Sequence, residues 1–240
     1  MIAILSDFSD SEYLGVMKGA IFLENPKSKI TDLYNKVSPY NIKEGAWILL
    51  NSYKYFPKKT TFLCVVDPGV GGKRKGIAVE TTNYYFVGPD NGLMWPAIKE
   101  DGIKRAVVLR TNNTSKTFHG RDIFAKAAAM LERRENIKKL GKETNVKNKL
   151  EFYLKGRTGE IVRIDNFGNI ITNLRSLGKK EYNVILEDKI KMPFYKTYEE
   201  AKAGSLFLIK GSSGTLEISI KNKKAIEALP INVGCKITIS

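Results

Sequence analysis

The sequence predicts an α/β protein with two domains: an N-terminal α/β domain with a mostly parallel sheet, and a C-terminal all-β, barrel-like domain. Up to about residue 140, apolar runs typical of strands alternate with segments of helical periodicity, the order that produces a largely parallel sheet. After Gly156, only short β-type runs bounded by Gly, Asn and Ser turns follow. A charged stretch with few apolar residues, 133–148, separates the two patterns. We therefore expect domains at residues 1–150 and 151–240.

The N-terminal domain contains the predicted helices. Its strands are apolar, β-type runs at 2–5, 30–33, 61–66, 77–87 and 105–109. Its helices show the helical spacing of apolar residues, at 13–23, 42–55 and 121–134. The last helix is Ala-rich and amphipathic. This alternation of strands and helices predicts the α/β layer.

The C-terminal domain contains short predicted strands only. They lie at 160–164, 169–173, 182–186, 206–209, 216–220 and 236–239. Strands this short, separated by turn residues, are typical of a small all-β domain.

Composition excludes a disordered chain and a membrane-spanning one. The 240 residues are 42% hydrophobic and 27% charged, and no apolar run approaches the roughly 18 residues of a bilayer helix. Residues 1–7 lack the basic start of a signal peptide and are typical of a first strand, so we expect a cytoplasmic protein. Cys64 and Cys235 lie in apolar, strand-like runs, which favours buried thiols over a disulfide. No Cys/His cluster indicates zinc.

The net charge of +15 raises the question of nucleic-acid binding. The lysines are spread along the chain and form no recognisable nucleic-acid-binding motif. We therefore expect no nucleic-acid partner. A Lys-rich surface typical of proteins from hot environments is the simpler interpretation.

Loops that follow strands are where ligands bind in open parallel sheets. Asp7 follows the first predicted strand, where its carboxylate could accept hydrogen bonds from the two hydroxyls of a ribose. Alternatively, Asp7 or Asp10 caps the helix that begins near Tyr13. The local sequence leaves both interpretations open.

The loop after the third predicted strand is rich in glycine and runs from Asp67 to Arg74. It resembles a phosphate-binding loop, but the Walker pattern requires Gly at the position of Asp67 and Ser or Thr at that of Arg74. Taken alone, the segment is best interpreted as a glycine turn closed by a surface ion pair.

The single histidine, His119, precedes the Ala-rich helix and stands beside Gly120. A lone histidine is usually structural, but this one is at a helix entrance, where glycine lets the backbone approach a ligand closely. The segment 89–92, Pro-Asp-Asn-Gly, is a turn signature and needs no functional explanation.

Several motifs in a fixed order resemble those of the S-adenosylmethionine (SAM) hydroxide adenosyltransferase family, which is related to the bacterial fluorinase and chlorinase. The resemblance extends from Leu5 to Ile239. The motifs are Ser6-Asp7-Phe8, Gly15-Val-Met-Lys-Gly, Val66-Asp67-Pro-Gly-Val-Gly, Gly88-Pro-Asp-Asn-Gly-Leu, Phe118-His119-Gly-Arg-Asp-Ile-Phe, Ile164-Asp165-Asn-Phe-Gly-Asn169 and Gly211-Ser-Ser-Gly-Thr-Leu-Glu-Ile.

This resemblance implies a homotrimeric enzyme that hydrolyses SAM to adenosine and L-methionine. SAM would lie between the first domain of one subunit and the second domain of its neighbour. The family's water-holding triad corresponds to Asp67, Arg74 and His119. The arginine would favour the hydroxide form of the water, the aspartate would orient both, and the histidine would accept the proton or hold the position. No metal or other cofactor is expected.

The resemblance also assigns substrate-binding roles. Asp7 corresponds to the ribose-binding aspartate, and Asp10 to a second aspartate for which Ser11 is the other candidate. Asn169 would recognise the adenine edge. Phe167 and Tyr198 would form the aromatic walls of the adenine site, and Tyr40 would flank the sugar. Asp165 and Ser212 would hold the methionine end. The segment 221–224, which contains three lysines, departs from the family pattern near the adenine edge.

Two residues favour water over halide as the nucleophile. The fluorinase has tyrosine and serine at the positions of His119 and Gly120, and the halogenases have tyrosine at the position of Asp67. A carboxylate repels a halide ion, so we expect hydrolysis. The alternatives are a halide or other anion adenosyltransferase and a non-catalytic protein that binds SAM or adenosine.

Overall fold

In the computed structural model, which describes residues 1–111, 114–186 and 188–240, the chain divides into two units. The first is Met1–Glu151 and the second Phe152–Ser240. The first unit is an α/β layer and the second a β-barrel. The predicted fold class is therefore confirmed.

A seven-stranded sheet forms the centre of the first unit, in the order β2-β1-β3-β5-β4-β6-β7. Neighbouring strands from β2 to β5 pair in parallel, and the remaining pairs are antiparallel, so only β4 and β7 run against the other five. The strands are β1 (Ile2–Ser6), β2 (Ile30–Tyr34), β3 (Thr61–Val65), β4 (Gly76–Thr81), β5 (Tyr85–Pro89), β6 (Ile103–Leu109) and β7 (Gly141–Glu143).

Helices cover both faces of this sheet, because successive strand residues point to opposite sides. In β1, Ile2 and Ile4 pack in one apolar cluster, and Ala3 and Leu5 in another. The helices of the first cluster are α1 (Glu12–Glu24) and α4 (Lys126–Glu132), and those of the second are α2 (Ile42–Ser52) and α3 (Trp95–Asp101). Short 3₁₀ helices occur at Tyr53–Tyr55 and Ile137–Leu140, and a π-helical segment at Gly120–Ala125 leads into α4.

The strand predicted at 77–87 is wrong as a single element. The structure forms a hairpin, β4 and β5, whose turn at 82–84 is closed by hydrogen bonds from Thr81 to the Tyr84 carbonyl. The turn interrupts the β-type run without a glycine or proline, and Asn83 is the one residue in it that is typical of turns. The short helix α3 is not among the predicted elements, nor is β7, which lies inside the charged stretch.

The second unit is a closed barrel in the order β10-β11-β12-β13-β9-β8-β14. Each of the six strands predicted there has a counterpart. The seventh, β11, is not among the predicted strands: its alternation of charged and apolar residues is typical of a half-buried strand, but Pro193 argues against one. The strands are β8 (Thr158–Ile164), β9 (Ile170–Arg175), β10 (Glu181–Ile185), β11 (Lys189–Tyr195), β12 (Leu206–Lys210), β13 (Thr215–Ile220) and β14 (Lys236–Ile239), with a one-turn helix α5 (Ala225–Ala228) after β13.

The order of the parallel strands positions the candidate site. From β1 the chain crosses through α1 to β2 on one side, and then through α2 to β3 on the other. The crossovers diverge at β1 and β3, so a crevice opens beyond the carboxyl ends of these strands, where α/β folds bind ligands. Asp7 follows β1 and Asp67 follows β3 closely.

Candidate active site

A buried ion pair closes the glycine-rich loop after β3. Arg74 donates through Nε to Oδ1 of Asp67 at 2.9 Å and through Nη2 to Oδ2. The two side chains are only 10% and 6% exposed, respectively, so the surface ion pair considered for this loop is in fact buried. Gly71 has a left-handed φ of 74°, and an added Cβ there would lie 2.1 Å from the Lys116 carbonyl oxygen. The loop thus packs directly on the segment that leads to His119.

His119 extends the ion pair into a chain of three side chains. Its Nδ1 lies 2.8 Å from Nη2 of Arg74. Arginine can only donate, so Nδ1 accepts and the neutral ring carries its proton on Nε2. Burial, followed by the positive charge of Arg74, lowers the pKa of His119; the nearby carboxylates of Asp67 and Asp122 and a hydrogen bond with the Ser115 backbone oppose this less strongly. His119 is therefore neutral at neutral pH.

Phe124, in the π-helical segment, supports both basic groups. The Arg74 guanidinium lies 5.4 Å from the centre of its ring, and the His119 ring meets it edge-on at 6.4 Å. Phe124 is fully buried. Gly76 leaves room for it, because a Cβ at that position would lie 2.7 Å from the ring. Single turns of π-helical geometry are frequent at functional sites.

A cavity of about 370 Å³ adjoins the hydrogen-bonded group of Asp67, Arg74 and His119. Asp67 and His119 are part of its lining, as are the aromatic residues Phe8, Tyr13 and Phe118. These three rings contact one another edge-on or tilted, with centres 5.3–5.9 Å apart. An apolar wall beside a few convergent polar groups is the usual form of a small-molecule site.

Asp7 holds the loop that contains Tyr40. Its Oδ2 accepts the backbone N–H of Tyr40 at 3.0 Å. Asn41 caps α2 by accepting the N–H of Glu44, whose own carboxylate accepts the N–H of Ser38. The Tyr40 side chain is 72% exposed. Burial is the main cause that raises the pKa of Asp7, and the charge of Asp67 adds to it, while the Tyr40 N–H opposes it. The sequence interpretation of Asp7 as a helix cap finds no support, since the N-cap is Ser11.

Asp10 is not part of the cavity lining. It is exposed and forms an ion pair with Lys36 at 2.9 Å. The hydroxyl of Ser11, the alternative candidate, is buried and has no hydrogen-bond partner among the described residues.

In the second unit, Asp165 organises the turn between β8 and β9. Its Oδ1 accepts the N–H groups of Phe167 and Asn169, and its Oδ2 accepts from the Asn169 amide, all at 2.9 Å. Gly168 adopts a left-handed φ of 78° in this turn. Asn169 is buried and Phe167 is 78% exposed, so the turn presents an aromatic ring to solvent.

The other predicted residues of the second unit lie on the β11–β12 and β12–β13 connections. The Tyr198 hydroxyl lies 3.2 Å from the Ser219 hydroxyl on β13. Ser212 is exposed in the turn after β12. Sequence reasoning missed Glu217 on β13, a buried carboxylate near Asp165; a charged residue between Leu216 and Ile218 in a strand was the available signal. It also missed Phe124, since an aromatic residue in an amphipathic helix is ordinary.

Among the residues that the structure describes, no group of three or more His, Cys, Asp and Glu side chains is arranged to hold a metal ion. Within the same residues, every helix is too short or too polar to cross a membrane.

NMR of the imidazole ring would report directly on this site, because His119 is the chain's single histidine. We expect a pKa below 6.5 and the Nε2–H tautomer at neutral pH. Arg74→Gln should raise that pKa, because it removes the neighbouring positive charge. Lys99→Gln, at an exposed position, is the control and should leave the pKa unchanged. A pKa at or above 6.5 in the unaltered protein, or an Nδ1–H tautomer, would contradict the geometry.

Comparisons with known proteins agree along the whole chain. The family models for the N-terminal and C-terminal domains of SAM hydroxide adenosyltransferases match residues 2–141 and 159–238. A protein named (R)-S-adenosyl-L-methionine hydrolase from Methanocaldococcus jannaschii is 37% identical, over 91% of this chain and 88% of its own. The protein of that name from Thermus thermophilus is 31% identical, over 99% of this chain and 98% of its own. The crystal structure of an uncharacterized conserved protein from Thermotoga maritima superposes with a TM-score of 0.92 at 32% identity, with both chains covered in full. This chain belongs to the SAM hydroxide adenosyltransferase family.

Proposed function

We propose that this protein hydrolyses SAM to adenosine and L-methionine by attack of water on C5′. The observation that supports this most is the buried Asp67–Arg74–His119 chain beside the cavity. The relatives from M. jannaschii and T. thermophilus, both named as SAM hydrolases, match over nearly the full chain.

The reaction needs a better nucleophile, not a better leaving group. The C5′–S bond breaks with its electron pair on sulfur, so the sulfonium departs as the neutral thioether of methionine. A C5′–O bond forms from water, and one proton is released. Water is a weak nucleophile, so the site must position it in line with the C5′–S bond and favour removal of its proton.

Asp67 and His119, which line the cavity, are the residues that we assign to the water. Asp67 accepts a hydrogen bond from it and is the group able to take its proton. Because Arg74 occupies Nδ1 of His119, the other nitrogen of the neutral ring can only donate a hydrogen bond. In this arrangement His119 holds the oxygen, and it does not act as the base.

Arg74 is absent from the cavity lining; it hydrogen-bonds to both Asp67 and His119, and its guanidinium packs 5.4 Å from the centre of the Phe124 ring. Its positive charge stabilises developing hydroxide through the low-dielectric interior. Arg74 thus acts through Asp67 and His119, which it also keeps in a fixed geometry.

We assign the substrate-binding roles from the family resemblance and from the chemistry of each residue. Asp7 would accept from the ribose hydroxyls and Tyr40, held by Asp7, would flank the sugar. Asn169 would bind the adenine edge. Phe167 and Tyr198 would form the walls of the adenine site, and Asp165 and Ser212 would hold the methionine end. Asp10 would be the second aspartate of the family's site, with Ser11 as the alternative.

We further propose a homotrimer in which the first unit of one subunit and the second unit of its neighbour together bind SAM. The two units contain complementary parts of the predicted site: the triad lies in the first and the adenine-binding residues lie in the second. Free Cys64 and Cys235 favour the reducing cytoplasm as the location.

Halide transfer is the competing activity, and Asp67 disfavours it. A carboxylate in the cavity wall repels a halide ion, whereas it attracts the protons of water. Chloride is therefore expected to give no 5′-chloro-5′-deoxyadenosine.

The test of hydrolysis is chromatography of purified protein incubated with SAM, with and without added chloride. We expect equal amounts of adenosine and L-methionine. Asp67→Asn should lower the rate by at least about 100-fold, because it removes the charge that orients and deprotonates water. Glu151→Gln is the control, since Glu151 is 67% exposed in a surface pair with Lys99, and it should keep the full rate. Unchanged turnover in Asp67→Asn, or a halogenated product, would overturn the proposal.

Mixed trimers test the shared site. Asp67→Asn alters the first unit and Asn169→Ala the second, and each alone should be inactive or nearly so. Co-expressed and assembled at random, the two should restore about a quarter of the sites, because some neighbouring units are then both intact. Light scattering should give about 81 kDa, three chains of 27.0 kDa. An active monomer, or mixed trimers without any restored activity, would rule out the shared site.

A further inference from the structure

The turn at 89–92, Pro-Asp-Asn-Gly, has no role in the proposed mechanism. It begins at the carboxyl end of β5, and β5 stands between β3 and β4 in the sheet. The loop that runs from Asp67 to Arg74 leaves β3, which is parallel to β5, and enters β4, which is antiparallel to it. The turn therefore lies between the two ends of this loop, at the same edge of the sheet.

Both ends of the loop accept hydrogen bonds from this turn. The Nδ2 of Asn91 donates to the carbonyl of Val66, the last residue before the loop, at 2.8 Å. The backbone N–H of Asp90 donates to the carbonyl of Lys75, the first residue after the loop, at 2.8 Å. Two consecutive residues of the turn thus hold the two residues that flank the buried ion pair.

The turn is itself anchored on its other side. Asp90 is only 3% exposed, and its carboxylate accepts the backbone N–H groups of Lys147 at 3.0 Å and Asn148 at 3.1 Å. The Asn148 amide donates to the Asp90 carbonyl at 2.6 Å. Within the turn, Oδ1 of Asn91 accepts the Leu93 N–H at 3.1 Å. Because these bonds fix the turn independently of the loop, the turn restrains the loop and does not simply follow it.

The two bonds to the loop differ in what they require from the sequence. The Asp90 N–H continues the β4–β5 ladder, and any residue except proline supplies it. The bond to Val66 requires a side-chain donor at position 91. Val66 is fully buried, so water cannot replace the Asn91 amide at its carbonyl. Loss of the amide would deprive a buried acceptor of its donor, which favours a shift of the chain where Asp67 begins.

We propose that Asn91 is a positioning residue for the reaction: through the Val66 carbonyl it fixes the place of the Asp67 carboxylate. This rests on the proposed function and adds a residue to it. Asn91 is not among the residues that line the cavity, so it acts through Asp67. Since Asp67 and Arg74 hold each other, a shift of the carboxylate also draws the guanidinium away from Nδ1 of His119.

Two uncharged variants separate the bond to Val66 from the integrity of the turn. Asn91→Ala removes both hydrogen bonds of the amide. Asn91→Ser keeps an acceptor for the Leu93 N–H, because a serine hydroxyl can accept from the N–H two residues further on. Its side chain is too short to reach Val66. If the bond to Val66 positions the loop, the two variants should behave alike.

Asn173→Ala is the matched control, because Asn173 makes the same pair of bonds in the second unit. Its Nδ2 donates to the Tyr153 carbonyl at 2.8 Å, and its Oδ1 accepts the Glu160 N–H at 2.9 Å. Asn173→Ala and Asn91→Ala should therefore lower the temperature of thermal unfolding by similar amounts. A difference between them at the candidate site then reflects position and not stability.

NMR of His119 in the free protein tests the positioning without turnover. Both Asn91 variants should raise the pKa of His119 toward its ordinary value, because a loosened loop admits water and holds Arg74 less closely to the ring. Asn173→Ala should leave this pKa unchanged. An unchanged pKa in both Asn91 variants, or failure of both to fold, would overturn the proposal.

Turnover per binding site is the second readout. Both Asn91 variants should lower kcat for SAM by about 10- to 100-fold, since a misplacement of about 1 Å costs up to roughly 100-fold. Calorimetry with S-adenosylhomocysteine should find the same number of sites per chain as in the unaltered protein, and Asn173→Ala should keep the full rate. A loss of rate that only matches a loss of binding sites would contradict the positioning role. A shifted His119 pKa in variants of a protein that releases no adenosine from SAM would support Asn91 and refute hydrolysis.

Discussion

The buried ion pair between Asp67 and Arg74 is the interaction on which the rest of the site depends. Burying two charges costs several kcal/mol each, and only close, hydrogen-bonded geometry repays it. Loss of one partner would leave an uncompensated charge, at a cost of about 3–5 kcal/mol. The fold meets the geometric demand with Gly71, which lets the loop pack on the segment before His119, and with Gly76, which admits Phe124 behind the guanidinium. The contacts that offset the cost of burying the two charges also hold the ion pair in one orientation. Catalysis by positioned groups requires such a fixed orientation.

Three carboxylates in this protein are held in different environments. Asp67 forms an ion pair with the Arg74 guanidinium, which stays protonated in proteins. Asp7 accepts the backbone N–H groups of Tyr40 and of Asp7 itself, yet burial leaves its pKa raised. Glu217 is 7% exposed, and burial followed by the charge of Asp165 raises its pKa to about 7. Burial therefore disfavours the ionised form of the last two carboxylates. Stability sacrificed at such positions is a recurring feature of binding sites.

The sequence predicted the fold well because its signals are local. Strand and helix periodicities are legible within about ten residues, and the change of pattern after Gly156 separates the sheet from the barrel. The β4–β5 hairpin was missed because Thr82 and Asn83 turn an otherwise continuous β-type run. Family motifs identified Asp67, Arg74 and His119 as a group, but not how they connect: Arg74 meets His119 across 45 residues. Its occupation of Nδ1 follows only from the folded geometry; of the two roles that the resemblance leaves open for the imidazole, the mechanism that we propose uses the one that holds the water and not the one that accepts its proton. Glu217 was missed for the same reason, since its burial depends on strands β9 and β12.

In the mechanism that we propose, Asp67, Arg74 and His119 together direct a water molecule to C5′ of SAM. The decisive measurement is turnover in water enriched in ¹⁸O, followed by mass spectrometry of both products. One labelled oxygen should appear in adenosine, at the 5′ position, and none in L-methionine. Unlabelled adenosine, or label in a product of attack at another carbon of the sulfonium, would contradict it.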